Sequence, residues 1–120
     1  MVKSIIFKKI KFNNISYKEF NKCIIKKGLF VFPAGPALAT IESSTNYFKS
    51  IRKAKFVFFD SGFFVLLIKI FKNIDVTKFS GYKFLVLFFE YLKKNKEKKI
   101  FFINLINKFL KSNKKNIKKI

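Results

Sequence analysis

Residues 55–71, KFVFFDSGFFVLLIKIF, constrain the fold more than any other part of the chain. Residues 56–59 form a short aromatic and β-branched run between charged residues, which predicts a strand. The apolar run at 63–71 is too long for a typical strand and contains Lys69, which predicts a helix. Asp60 therefore follows the strand and precedes the helix. In an open α/β sheet, this junction faces the crevice where ligands bind.

Asp60 has two interpretations on this pattern alone. It is one of only six acidic residues in a chain of 120, so its position at the junction is distinctive. An aspartate before a helix commonly caps it by accepting hydrogen bonds from the first free N–H groups. The alternative is a contact with a ligand, because such a junction faces the crevice where ligands bind in an open α/β sheet. Gly62 would let a ligand or a backbone segment come close.

The composition excludes several classes of protein. The length allows one domain, residues 1–120, and no run of about 18 uncharged apolar residues is present, so no transmembrane helix is predicted. Cys23 is the single cysteine and histidine is absent. An intrachain disulfide, a thiolate metal site and histidine-based catalysis are therefore excluded. Cys23 is interpreted as buried helix filler, and no cofactor or metal is expected.

The net charge of +21 points to anionic partners. It favours anionic membrane surfaces, nucleotide phosphates or nucleic acid. However, Arg52 is the only arginine among 27 basic residues. Because arginine makes most bidentate contacts to bases and phosphates, the charge is weak support for sequence-specific nucleic-acid binding.

The first third of the chain predicts alternating strands and helices. Residues 3–12 are expected to form a strand or hairpin edge, and Asn13-Asn14 a turn. Ser16 and Glu19 fit a capping box that begins a helix, which Gly28 would end. Residues 29–32 predict the next strand. Residues 33–36, PAGP, predict a loop, with a helix beginning within 37–42 whose N–H groups would face the same crevice as Asp60.

The remainder continues the alternation. Helices are predicted at 45–53, 61–72 and 84–94, with a connector at 73–80 that includes a short strand piece. A strand is predicted at 100–103 and a basic carboxy-terminal helix at 105–120, either on a membrane surface or as a solvated lysine tail. The order predicts an α/β fold with a Rossmann-like layered, largely parallel sheet and helices packed on it. Neither G-x-G-x-x-G nor a P-loop is present.

The order of motifs over roughly residues 25–104 resembles the amino-terminal half of the WecG/TagA/CpsF glycosyltransferases. FVFPAGPALATI is followed by AKFVFFDSG, then by VTKFSGYKFL and KIFFIN. Members of that family usually read V-T-P-N-P, then A-D-L-V-x-x-D-G, then R-x-x-G-x-D. Asp60 aligns with the aspartate of the second motif, and residues 78–81 with R-x-x-G. Phe32, Ala34 and Lys83 stand where the family has Thr, Asn and Asp.

The resemblance implies an activity and a site. The family transfers an N-acetylmannosamine-type sugar from UDP to a lipid-linked acceptor in cell-surface polysaccharide synthesis. The resemblance would make the chain a hexosyltransferase. It would place the protein in the cytoplasm, bound peripherally at the inner face of the cytoplasmic membrane. Asp60 is then the expected catalytic base. The expected substrate-binding residues are Pro33, Ala34, Gly35, Ser61, Gly62 and Gly81.

The same resemblance implies partners and an incomplete domain. The expected partners are a UDP-sugar donor, a lipid-linked sugar acceptor and an anionic membrane surface. The family domain is about twice as long, so a homo-oligomer or a complementing second half is also expected. Two alternatives remain: a basic nonenzymatic module that binds nucleic acid or anionic membrane, and an inactive fragment that does not fold alone.

Overall fold

The computed structural model describes residues 3–96, 99 and 101. The chain begins with a hairpin in which β1 (Ser4–Phe7) pairs antiparallel with β2 (Ile10–Asn13). Lys8 and Lys9 connect the strands with φ angles of 47° and 60°. Two consecutive positive φ angles match the twist of a two-residue hairpin turn. Of the two possibilities expected for residues 3–12, a strand or a hairpin edge, the structure has the hairpin.

The predicted turn at Asn13-Asn14 is wrong. Asn13 is the last residue of β2, and its side-chain Oδ1 accepts a hydrogen bond from the Val57 N–H at 3.0 Å. Asn14 is fully buried, and its side chain bonds to backbone groups of Asp75 and Thr77. These amides replace backbone partners where the hairpin meets the rest of the molecule, so the residues join elements instead of reversing the chain.

Helix α1 (Tyr17–Ile24) begins with the predicted capping box. Ser16 Oγ accepts from the Glu19 N–H, and Glu19 accepts from the Ser16 N–H. The helix ends at Ile24, so the expectation that Gly28 terminates it is wrong. Gly28 instead has φ +152° and turns the chain into the next strand, with the Lys55 side chain packed against it.

The second sheet is a parallel pair, β3 (Phe30–Val31) and β4 (Phe56–Val57), with Phe30 opposite Phe56. Between them lie α2 (Gly35–Ala39), a 3₁₀ turn (Ile41–Ser43) and α3 (Thr45–Lys53). The strands predicted at 29–32 and 56–59 are confirmed in shorter form. The loop predicted at 33–36 is wrong in its second half, since α2 already begins at Gly35. Pro36 fits there because first-turn N–H groups have no intrahelical acceptor.

Two longer helices follow β4. Helix α4 (Gly62–Lys72) ends at Asn73, which has a left-handed backbone, and α5 (Gly81–Lys94) begins after the N-cap Ser80. The short strand expected at 73–80 is absent from this described segment. Its only ladder-like bond runs from the Phe79 N–H to the Phe59 carbonyl, 2.8 Å.

The core lies on both sides of β4 and its extension to Phe59. Phe56 and Phe58 pack in one cluster with Phe20 and Phe79. Val57 and Phe59 pack in the other with residues from β2, α2, α3 and α4. The molecule is therefore mixed α/β with β4 at its centre. The helix predicted at 105–120 lies outside the described residues, and so does the strand predicted at 100–103 except for Phe101.

Candidate functional site

Asp60 follows the buried segment 56–59, of which β4 covers only Phe56–Val57, and it is partly exposed. The N-cap of α4 is Ser61, whose Oγ accepts from the Phe64 N–H at 3.4 Å. The capping interpretation of Asp60 is therefore wrong, because the next residue has both the required backbone position and the hydrogen bond. Within the described part of the chain, the Asp60 carboxylate has neither a hydrogen bond nor an ion pair. It remains available to an incoming hydroxyl group.

Gly35 brings the start of α2 against the start of α4. A Cβ atom added at Gly35 would lie 3.0 Å from Ser61 Oγ and 3.5 Å from Ser61 Cβ. Pro33 is buried and Ala34 is exposed, with the Ala34 carbonyl accepting from the Leu38 N–H at 2.9 Å. Of the predicted loop residues, Gly35 thus contacts the segment that follows Asp60.

Lys78 reaches the start of α4 from the connector. A Cβ atom built on Gly62 would lie 3.9 Å from Lys78 Nζ. The Tyr17 hydroxyl donates to the Lys78 carbonyl at 2.9 Å and holds this part of the connector against α1. Lys78 was not among the predicted site residues. The signal was its alignment with the arginine of R-x-x-G, since a cation at that position fits an anionic ligand.

Gly81 has a packing role in the described structure. An added Cβ would lie 3.7 Å from Phe32 Cβ, so the first residue of α5 lies against the residue that follows β3. The Phe32 and Phe84 rings, with centroids 4.9 Å apart, continue this contact. Gly81 therefore lies at the same end of the parallel pair as Asp60, with its closest contact to Phe32.

The charges around Asp60 favour an anionic ligand. Helices α4 and α5 have no acidic residue in their first turns. A helix N-terminus has a partial positive charge, and Lys78 adds a full charge beside α4. A single carboxylate with an adjacent cation and the N–H groups of α4 can remove a proton and hold a phosphate, without requiring a metal.

Comparisons with protein-family models, curated proteins and solved structures found no match. None of the helices in residues 3–96 has the length and apolar content needed to cross a bilayer.

Proposed function

We propose that the chain is a glycosyltransferase-like protein of the WecG/TagA/CpsF type. In this proposal it transfers an N-acetylmannosamine-type sugar from a UDP-sugar to a lipid-linked acceptor at the inner face of the cytoplasmic membrane. One observation carries the proposal. Asp60 is a partly exposed carboxylate without a protein partner in the described structure, and it follows the buried segment 56–59 that begins with the central parallel strand.

Each group has a role in the proposed reaction. Asp60 takes the proton of the acceptor hydroxyl as its oxygen attacks the anomeric carbon of the sugar. The bond between that carbon and the UDP phosphate breaks, and the electron pair leaves with UDP. Lys78 and the N–H groups at the start of α4 stabilise the negative charge on the departing diphosphate.

The order of the motifs supports the same assignment. Asp60, Lys78 and Gly81 occur in the sequence order of the family's aspartate and R-x-x-G segments. Phe32 and Ala34 differ from the family's Thr and Asn, and Ala34 has no side-chain group for hydrogen bonding. We therefore expect backbone groups near Gly35 to contact the nucleotide.

The test separates binding from chemistry. UDP binding is measured by calorimetry, and transfer from UDP-N-acetylmannosamine to a lipid-pyrophosphate-linked amino sugar by product formation. Asp60→Asn should retain UDP binding and lower the transfer rate by about 10²-fold or more, as expected for loss of a general base. Lys78→Ala should weaken UDP binding about tenfold, since a hydrogen bond between charged groups is lost.

Lys49→Ala is the matched control for Lys78→Ala, because Lys49 is an exposed lysine on α3 that is not among the candidate site residues. It should leave UDP binding unchanged. The proposal is wrong if the wild-type chain is folded and does not bind UDP. It is also wrong if Asp60→Asn transfers sugar at the wild-type rate.

The net charge of +21 favours one second candidate, a nonenzymatic module that binds nucleic acid. Its binding would be independent of sequence and would weaken steeply with salt, because phosphate contacts release counterions. Titration with single-stranded oligonucleotides of unrelated sequence, with UDP as competitor, separates the two candidates. UDP competes only if the nucleotide site is the site occupied.

A further inference from the structure

Helix α4 has an apolar stripe that the described structure leaves uncovered. The stripe consists of Phe63, Leu66, Ile70 and Phe71, with exposed fractions of 64, 54, 64 and 80%. These positions are i, i+3, i+7 and i+8, so they lie on one face of the helix. The other face, with Phe64 and Ile68, is buried in the core. Four exposed large apolar side chains on one helix face are typical of an interaction surface.

The α4 stripe begins at the candidate site. Phe63 is separated from Asp60 by Ser61 and Gly62 only, and Gly62 is the first residue of α4. A partner that covers the stripe would therefore lie beside the carboxylate to which the acceptor must be delivered.

Cationic side chains border the stripe at both ends. Lys78 lies beside Gly62, and Lys69 and Lys72 occupy the last turn of α4. Lys69 is 63% exposed, and its Nζ lies 2.9 Å from a carboxylate oxygen of Asp75. This is the only ion pair among the described residues. Lys72 donates to the Ile6 carbonyl at 3.0 Å. Long lysine side chains around an apolar surface match the boundary between acyl chains and anionic headgroups.

The charge argues against the other occupants of this surface. A second copy of the chain would bring one +21 molecule against another. Residues 100–120 contain six lysines and no acidic residue, so that segment would also place positive charge beside Lys69 and Lys72. An occupant that is apolar in its interior and anionic at its surface satisfies both the stripe and its lysines.

We infer that the α4 stripe docks on an anionic lipid bilayer, with Phe63, Leu66, Ile70 and Phe71 in the acyl boundary and the lysines at the headgroups. The inference rests on the proposed function in one respect, since a lipid-linked acceptor gives the docking its purpose. Docking at α4 would present the crevice beside Asp60 to the membrane surface.

The experiment is co-sedimentation of the full chain with phosphatidylcholine vesicles and with vesicles of equal parts phosphatidylcholine and phosphatidylglycerol. The wild-type chain should bind the anionic vesicles and bind neutral ones weakly. The triple variant Phe63→Ser, Leu66→Gln and Ile70→Gln should bind anionic vesicles at least about tenfold more weakly than the wild type. The reason is that apolar burial supplies much of the affinity of interfacial helices. Lys69→Gln with Lys72→Gln should reduce both the binding and its dependence on salt.

A matched control changes three exposed apolar residues at the end of α1, before β3 and on α5: Ile25→Gln, Leu29→Gln and Leu85→Gln. This control should bind vesicles like the wild type. The inference is overturned if both triple variants lose binding equally, or if the α4 variant binds normally. It is also overturned if the wild type is a dimer by light scattering and the α4 variant a monomer, which would assign the stripe to a second copy.

A reporter that retains an apolar α4 stripe covers the case in which the triple variant fails to fold. The chain contains no tryptophan, so Leu66→Trp supplies a single fluorophore on the stripe. Its emission should shift to the blue with anionic vesicles, and that of Leu29→Trp, which precedes β3 at the other end of the parallel pair, should not. No shift at Leu66→Trp overturns the inference. Asp60→Asn should still bind vesicles. The double variant Leu66→Gln with Ile70→Gln leaves the first residues of α4 unchanged and should still bind UDP, so the docking and the proposed function fail independently.

Discussion

Asn14 is a buried polar side chain on which three segments depend. Its Nδ2 donates to the Asp75 carbonyl at 3.0 Å, and its Oδ1 accepts from the Thr77 N–H at 2.9 Å. Its backbone N–H also donates to the Lys3 carbonyl. The side chain thus fixes the connector that carries Lys78 against the hairpin.

Asn14→Ala should lower the free energy of unfolding by about 1–3 kcal/mol, because the partly buried hydrogen bonds to the Asp75 carbonyl and the Thr77 N–H are lost. Urea unfolding followed by circular dichroism measures the change. Asn21→Ala, on the exposed side of α1, is the control and should change stability by less than about 0.5 kcal/mol. Equal effects of the two substitutions would contradict the role of Asn14.

Gly62 tests whether the start of α4 is kept open for a ligand. An added Cβ has nothing closer than the Lys78 side chain, at 3.9 Å. Gly62→Ala should therefore leave the fold intact and stabilise it by about 0.4–1 kcal/mol, since alanine loses less backbone entropy. If a phosphate binds between Lys78 and α4, the same methyl group should weaken UDP binding.

Gly35→Ala is the comparison for Gly62→Ala. Its Cβ would meet Ser61 Oγ at 3.0 Å, so the cap of α4 must shift and the melting temperature should fall. Gly62→Ala with higher stability and unchanged UDP affinity would place the nucleotide away from the start of α4.

The sequence alone located the junction between the central strand and α4, but it did not indicate the role of each residue in that junction. Asp60 and Ser61 are adjacent, and both residue types favour the N-cap position. Which of them caps depends on the residue at which the helical backbone begins, and tertiary packing of Phe64 and Ile68 sets that start. Lys78 was missed because its neighbour at Gly62 is sixteen residues away in the chain (78 − 62).

The hairpin turn is strained by its own residues. Lys8 and Lys9 both have positive φ angles, which cost a residue with a Cβ about 1–2 kcal/mol. Lys9→Gly should raise the free energy of unfolding by about 0.5–1 kcal/mol, and it leaves the Lys8 Nζ bond to the Ala39 carbonyl in place. Thermal unfolding measures the gain. Lys11→Gly, within β2, should be destabilising by a similar amount, and a gain there would show that the turn is not the cause.

The capping box makes the stability of α1 depend on pH. Hydrogen bonds from the Ser16 backbone and then its side chain, with Lys3 and Lys22 nearby, lower the pKa of Glu19. Because the folded pKa lies below the unfolded one, the contribution is complete above the ordinary value of 4.5 and is lost as pH falls through the folded pKa. Glu19→Gln should remove this part of the acid dependence in urea titrations at several pH values. An unchanged pH profile would show that Glu19 does not contribute.

Elements with a clear periodicity were the ones that could be predicted. Helix α3 has the predicted bounds. Phe48 and Ile51 are spaced to lie on its inner face, and Arg52 and Lys53 occupy its last turn, where basic residues are favoured. Helix α2 was missed in part, since two prolines and a glycine in four residues are typical of a loop. The connector 73–80 was also misread, because its partner is the Asn14 side chain instead of a strand.

The whole molecule is organised on the two faces of β4. Alternation in FVFF sends Phe56 and Phe58 to one cluster and Val57 and Phe59 to the other. The sequence predicted a central buried strand, because all four residues are apolar. It could not predict that the antiparallel hairpin joins β4 through the Asn13 side chain, since strand order depends on long-range contacts that no local pattern records.

The net charge gives a prediction for the molecule as a whole. The described structure has one ion pair, the exposed Lys69–Asp75, so few attractions offset the repulsion expected at +21. Salt screens repulsion between exposed charges separated by about 10 Å or more at 0.1 M. Raising sodium chloride should therefore raise the melting temperature by several degrees, measured by circular dichroism as a single transition.

A charge reversal should reproduce the effect of salt without adding any. Lys49 is an exposed residue of α3, one turn before Arg52 and Lys53. The substitution Lys49→Glu lowers the net charge from +21 to +19 (21 − 2). At low salt its melting temperature should exceed that of the wild type, and the difference should shrink as salt is added. A melting temperature that falls with salt would mean that attractive ion pairs exceed the repulsion. Charge neutralisation by an anionic bilayer would then no longer be expected to stabilise the fold.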